Sequence, residues 1–189
     1  MRFTSILGAL GIAISAPGMA ATLDLNLSDE SAQVKYGMHV GGTTLGRSEL
    51  TFGFLYNDND NKNKTMGEVG LLVIDAAGSK SPGLEIGVGP KLYYADGING
   101  NALAIGLGGK LRYKLPTLTR MLLSAEGYYA PGIVSFADAD NMYEIDLRIG
   151  YEIIPTADLY AGYRLIKADF DKGKEAIDET AMFGMKFRF

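Results

Sequence analysis

The sequence predicts an all-β chain that closes into an antiparallel, up-and-down transmembrane β-barrel. Three observations predict it. Apolar residues alternate with polar, charged or Gly residues at period two along most of the chain, the pattern of a sheet with two unlike faces. Many of these runs reach the roughly 9–11 residues that a tilted strand needs to cross a bilayer. The charges fall on one face of the runs and leave the other nearly free of them. That is expected where a charge against lipid at mid-depth costs about 2–4 kcal/mol.

The first stretch does not share this pattern. Arg2 supplies a short basic region, 6–14 is a compact apolar run, and Gly18-Met19-Ala20 places small residues where a signal peptidase reads. We expect a signal peptide over 1–20, cleaved after Ala20, and one barrel domain over 21–189. Cleavage removes Arg2 and no acid, so the 18 Lys+Arg become 17 against 22 Asp+Glu, and the net charge moves from −4 to −5. This is no polybasic nucleic-acid footprint, and no nucleic-acid partner is expected. The chain has no Cys, which excludes a disulfide framework, a thiolate metal site and a Cys nucleophile. After the first stretch no apolar run is long enough for a transmembrane helix.

The strands follow in order. Leu23, Leu25 and Leu27 alternate with Asp24, Asn26 and Ser28. Val34, Tyr36, Met38 and Val40 alternate with Gln33, Lys35, Gly37 and His39. Leu50, Phe52, Phe54 and Tyr56 face away from Glu49, Thr51 and Gly53. The run 69–74 is continuously apolar, so its faces are not assigned. Leu84, Ile86, Val88, Leu92 and Tyr94 oppose Glu85, Gly87, Gly89, Lys91 and Tyr93. Leu103, Ile105, Leu107, Leu111, Tyr113 and Leu115 oppose Ala102, Ala104, Gly106, Gly108, Lys110, Arg112 and Lys114. The cleanest run is 143–153, where Tyr143, Ile145, Leu147, Ile149, Tyr151 and Ile153 oppose Glu144, Asp146, Arg148, Gly150 and Glu152. A helix would scatter these charges around its circumference, whereas a strand puts them on one side.

Ten strands are expected, near 22–28, 32–41, 48–57, 66–75, 83–94, 102–115, 119–130, 141–154, 158–168 and 178–189. Eight is the alternative if the first segment and one weak strand are not separate spans. Pro116-Thr117 and Pro155-Thr156-Ala157 read as tight turns, and 57–65, 131–140 and 169–178 as longer polar loops. Tight and long connections then alternate as periplasmic turns and external loops, with both termini periplasmic.

Strand by strand, the charged face carries Lys35, Lys91, Lys110, Arg112, Lys114, Arg148, Arg164, Lys186 and Arg188 against Asp24, Glu49, Glu68, Glu85, Glu126, Glu144, Asp146 and Glu152. Such a balanced set suits a polar lumen. Tyr56, Tyr94, Tyr113, Tyr129, Tyr143, Tyr163 and Phe187 sit near strand ends, where interfacial aromatic girdles form. In the last strand Ala181, Phe183, Met185, Phe187 and Phe189 alternate with Met182, Gly184, Lys186 and Arg188. Phe183, Met185, Phe187 and Phe189 read as an assembly signal for the outer-membrane barrel assembly machinery. The expected location is the outer membrane of a Gram-negative bacterium, with its lipid as the partner and the monomer as the expected state.

Several stretches resemble the YfaZ family of outer-membrane proteins. They are Gly89-Pro90-Lys91-Leu92-Tyr93-Tyr94, Gly106-Leu107-Gly108-Gly109-Lys110-Leu111, Ala125-Glu126-Gly127-Tyr128-Tyr129-Ala130-Pro131 and Ala161-Gly162-Tyr163-Arg164-Leu165, together with the terminal strand. The resemblance implies an outer-membrane barrel and carries over no reaction, ligand or functional residue.

Chemistry-bearing constellations are few. His39 is the single His and, on this register, points inward; no nucleophile is paired with it by spacing. The stretch Asn57-Asp58-Asn59-Asp60-Asn61 suggests calcium, but counting from Asp58 an EF-hand would need Gly where Asn63 stands. It reads as a solvated loop, as do Asp138, Asp140, Asp169 and Asp171. Gly106-Leu107-Gly108-Gly109-Lys110 lacks the spacing and following Ser/Thr of a phosphate loop. Inward Gly instead makes room for large neighbours. No metal site and no cofactor are expected. The row Glu144, Asp146, Arg148 and Glu152, with Arg164 on the next strand, either closes the lumen with ion pairs or lines a narrow path. Barrels of this size are largely filled by side chains. The expected function is therefore a non-enzymatic barrel with an envelope or surface-interaction role. A narrow channel for small polar or charged solutes is the alternative, and a barrel-scaffold enzyme acting on lipid or peptide the second.

Overall fold

The structure is a computed structural model, described over residues 20–43, 46–58, 63–77, 82–97, 100–137, 139–170 and 173–189. The expected signal peptide, apart from Ala20, lies outside the described residues, as do 59–62 of the acidic loop, Asp138 and Asp171. The strands are β1 (Ala21–Leu27), β2 (Ser31–Thr43), β3 (Gly46–Asn57), β4 (Lys64–Ala76), β5 (Leu84–Asp96), β6 (Asn101–Lys114), β7 (Met121–Ala130), β8 (Ser135–Ala137), β9 (Ala139–Ile154), β10 (Ala157–Phe170) and β11 (Gly173–Arg188).

Each strand pairs antiparallel, and the ring is completed by the pairing of β5 with β6 and of the first strand with the last. β5 meets β6 from Leu84↔Tyr113 to Asp96↔Asn101, and β1 meets β11 from Thr22↔Arg188 to Leu27↔Phe183. Closure leaves no free edge among the long strands, β8 alone being paired on one side, and a chain in lipid requires this because no water is there to satisfy free backbone groups. The wall has ten lanes, the larger of the two expected counts. β7 and β8 share one lane: β6 pairs with β7 up to Tyr129, then with Ser135–Ala137. Pro131 has no N–H for the ladder, and a single 3₁₀ turn at Gly132–Val134 fills the gap.

The hairpins are short. Ser28 Oγ accepts from the Ser31 and Glu30 N–H groups at 2.8 and 3.2 Å, closing the β1–β2 turn. Gly83 enters β5 at φ 87°, and a Cβ there would stand 2.5 Å from the Lys114 carbonyl oxygen, so this corner needs Gly. Two expected loops turn out to be wall. The 131–140 stretch becomes β8 and the start of β9, and the 169–178 stretch becomes the ends of β10 and β11. The reason is interior packing: Ala168, Phe170 and Ile177 are buried inside while Lys167 and Asp169 point away. The unassigned run 69–74 also resolves, with Val69, Leu71 and Val73 outward and Leu72 and Ile74 inward.

The outer surface of the wall is an apolar belt. Val34, Phe52, Phe54, Val88, Leu107, Leu111, Ile145, Leu147, Ile149 and Phe183 are all exposed on it. A patch of this extent in water would be an interaction or aggregation surface; around a closed barrel it is the lipid face. We take the end carrying both termini as periplasmic.

Candidate functional site

The lumen is built in layers, because period-two alternation on ten strands sends every second side chain inward. At the outer end the filling is apolar apart from the buried pair Lys64 and Glu175, 3.5 Å apart: Leu55, Met66, Ala95, Ala102, Ala104, Ile166, Ala168 and Ile177 are at most 1 % exposed.

Beneath it lies Arg164, fully buried. Its Nε donates to Asp178 Oδ2 at 2.6 Å. Nη1 donates to Asn26 Oδ1 and Gln33 Oε1, each at 2.6 Å, and Nη2 to Ser31 Oγ at 3.1 Å. Asn57 Nδ2 donates to the other Asp178 oxygen at 2.6 Å. A planar guanidinium with five donors suits such a crowd of acceptors.

The middle layer holds two ammonium groups among three carboxylates. Lys91 Nζ lies 2.5 Å from Glu126 and 3.0 Å from Glu144. Lys35 Nζ lies 3.1 Å from Glu68 and 3.4 Å from Glu144. The Tyr93 hydroxyl donates to Glu144 Oε2 at 2.6 Å. Lys91 also sits 4.0 Å from the centre of the Tyr128 ring, and Tyr93 and Tyr128 meet edge to face at 6.5 Å. The inward glycines give these rings space: a Cβ on Gly106 would be 3.0 Å from Tyr93 Cε2, and one on Gly108 2.6 Å from Tyr128 Cδ1.

Next toward the periplasm, Arg148 grips Asp146 with two donors, Nε and Nη2, at 2.6 and 2.5 Å. Its Nη1 reaches across the lumen to Asp24 at 2.6 Å. The Tyr160 hydroxyl donates to Asp24, and the guanidinium lies over the Tyr160 ring at 4.5 Å.

The remaining predicted charges lie at the periplasmic rim. Arg188 pairs with Asp158, Lys114 with Glu152 at 3.0 Å, and Arg47 with Glu85 at 2.9 Å. Arg112 lies 3.6 Å from both Glu85 and Asp158. Lys110 and Lys186 line a cavity of about 80 Å³ that runs from the rim past Arg148 to Lys35, Glu68 and Glu126. The predicted cluster is thus two sets: a buried one around Lys91, Glu126, Glu144, Asp146, Arg148 and Arg164, and a wetter one at the mouth. Phe183 and Phe189 are exposed, and Met185 and Phe187 half-exposed.

Sequence reasoning missed Asp178, Asn57, Asp158 and Tyr160 as site residues. The sequence pattern places Asp178 and Asn57 at loop ends, and nothing in a linear pattern names a partner across a lumen. His39 sits at the rim, its Nδ1 2.8 Å from the Ala20 carbonyl oxygen. Among the described residues no group of three or more His, Asp or Glu side chains is placed to hold a metal.

A closed antiparallel ring with an apolar belt outside and charges inside defines an integral β-barrel of the Gram-negative outer membrane. Within that class the chain matches the YfaZ precursor family over residues 1–189, and it belongs to that family. A comparison with curated proteins finds no match. Among solved structures, it is similar to the outer membrane channel DcaP of Acinetobacter baumannii, at 15 % identity and a TM-score of 0.44, over 93 % of this chain and 55 % of that one. It is similar to a bacterial polysaccharide outer membrane secretin at 14 % identity and a TM-score of 0.47, over 84 % and 57 %. With the outer membrane protease OmpT of Escherichia coli the figures are 10 % and 0.48, over 90 % and 93 %. The chain therefore spans little more than half of the first two proteins. These likenesses carry no functional argument.

Proposed function

We propose that the protein is a sealed, non-catalytic barrel whose role in the outer membrane is structural or surface-interacting. The observation that carries this reading is the stacking of filled layers across the lumen. An ion entering from the periplasm would meet the Arg148 layer, the Lys35 and Lys91 layer, the fully buried Arg164, and then an apolar plug at most 1 % exposed. Each charged layer is internally paired, so opening a path would strip partners from buried charges, which costs several kcal/mol per ion. His39 is engaged by a backbone carbonyl at the rim, which supports assigning it no role as a catalytic base. The outward face of β11, with Phe183, Met185 and Phe187, suits reading by the assembly machinery during insertion.

Planar-bilayer recording of refolded protein tests the sealed reading. The expected result is no resolvable current, in the native chain and in Arg148→Ala alike. A steady conductance whose ion preference changes in Arg148→Ala would overturn it in favour of a narrow channel.

A further inference from the structure

Among the described residues, the periplasmic mouth holds two cations that touch no carboxylate directly. Lys186 faces two carboxylates in register, Asp24 on β1 and Asp158 on β10. Both are engaged elsewhere: Asp24 by Arg148 and the Tyr160 hydroxyl, Asp158 by Arg188. Lys110 faces Glu126 on β7, and Glu126 is held by Lys91 at 2.5 Å. Among the described residues, Lys110 and Lys186 have neither an ion pair nor a hydrogen bond. Both line the 80 Å³ cavity, and with Arg112 they also line a smaller one of about 30 Å³ beside it. The single unengaged carboxylate among their neighbours is Glu49, which lines both spaces. Around the smaller space Arg47, Lys110, Arg112 and Lys186 stand against Glu49 and Glu85, which leaves a positive excess at the rim end.

Charges in a partly dehydrated lumen call for counter-charge, since water screens them poorly there. The Arg188, Arg112 and Arg47 pairs already use the rim carboxylates. We propose that the periplasmic vestibule is a binding cup for a small oxyanion of the phosphate class, held by Lys110 and Lys186 with Arg112 at its side. Such an anion comes either free from the periplasm or as the headgroup of a phospholipid at the mouth. The larger cavity accommodates one such group or a few waters. The cup opens at the rim, passes Arg148 and ends against Lys35, Glu68 and Glu126. This goes beyond the sealed-barrel reading and does not depend on it, because binding at the mouth needs no path through the wall.

The test uses refolded full-length protein in maltoside micelles, which carry no phosphate. Titration calorimetry with inorganic phosphate is expected to show saturable binding, with one anion per barrel. Binding weakens about tenfold or more in Lys110→Gln/Lys186→Gln, a loss in line with removing two charge-assisted donors. Glu49→Gln tightens it, because the competing carboxylate is gone. Thermal melting is the second readout: phosphate raises the melting temperature of the native protein and leaves the double variant unmoved, which separates lost binding from lost folding. Native mass spectrometry after incubation with phosphatidylglycerol distinguishes the sources. One retained phosphatidylglycerol per native barrel, lost in the double variant, assigns the headgroup; phosphate binding without lipid retention assigns a free anion. No saturable phosphate binding and no retained lipid overturns the proposal, as does binding that the double variant keeps in full.

Discussion

Arg164 Nε and Asp178 Oδ2 stand 2.6 Å apart inside the barrel, with neither side chain exposed to solvent. The pair joins β10 to β11, and through Asn26, Gln33 and Asn57 it ties in three strands from the other side of the closing seam. Removing one member of a buried pair leaves the other desolvated and unpaired, at a cost of about 3–5 kcal/mol. Arg164→Met is therefore expected to lower stability by roughly that amount. Urea-dependent unfolding from lipid vesicles, followed by circular dichroism because the chain has no Trp, measures it. Arg164→Met combined with Asp178→Leu is expected to recover most of the loss. If the single and double variants unfold together, the pair does not anchor the seam.

The contacts of Tyr160 separate in a graded pair of substitutions. Its hydroxyl donates to Asp24, while its ring lies under Arg148. Tyr160→Phe keeps the ring and leaves Asp24 bound to Arg148, so a loss of about 0.5–1.5 kcal/mol is expected. Tyr160→Ala also removes the cation–π contact and opens a void, so about 3–5 kcal/mol is expected. The order of the two unfolding midpoints is the check; equal losses would mean the ring contributes nothing.

The same tyrosine dictates a glycine. Gly184 on β11 faces Tyr160 across the strand pair, and a Cβ there would overlap the ring and come 2.7 Å from the Leu25 carbonyl oxygen. Gly67 on β4, by contrast, has nothing within 4 Å of where its Cβ would stand. Gly184→Ala should destabilise by about 1–3 kcal/mol through overpacking. Gly67→Ala should be neutral or mildly stabilising, because the unfolded chain loses freedom. Folding yield and thermal melting of the two variants decide between space and backbone freedom as the reason for the glycines.

The wall was legible where lipid enforces the pattern. In β9 the sequence places Ile145, Leu147 and Ile149 on one face and Glu144, Asp146 and Arg148 on the other. The structure has the first three exposed on the belt and Glu144 and Asp146 about 1 % exposed inside. Above the belt the rule inverts. Lys167 and Asp169 point to water while Ala168 and Phe170 fill the lumen, so 169–178 looks like a polar loop when read as membrane strand. The period survives and its polarity flips, because what surrounds the wall has changed from lipid to water. Partners were not legible at all. Arg164 stands opposite Asp146 in register, yet it bonds Asp178 on the other neighbouring strand, while Asp146 is taken by Arg148 two residues along its own strand. Side-chain reach across a curved wall settles such choices, and a linear pattern carries no trace of it.

Leu147 and Arg148 are adjacent in β9 and stand at nearly the same depth on opposite faces of one wall. Arg148 is nearly buried, with three donors engaged by Asp24 and Asp146. Leu147 is half exposed on the belt, flanked by Ala125 and Tyr163 on the adjoining strands. An arginine at 147 would meet acyl chains and no acceptor, so Leu147→Arg should cost about 2–4 kcal/mol near mid-bilayer. Leu147→Ala is the control for lost packing, and its cost should be clearly smaller because lipid refills the space that a protein core could not. The measurement is the unfolding midpoint of both variants in vesicles. A Leu147→Arg midpoint no lower than that of Leu147→Ala would mean that position 147 does not face hydrocarbon. The belt would then have to be redrawn toward the periplasmic end, because at the outer end Lys167 and Asp169 already point outward to water.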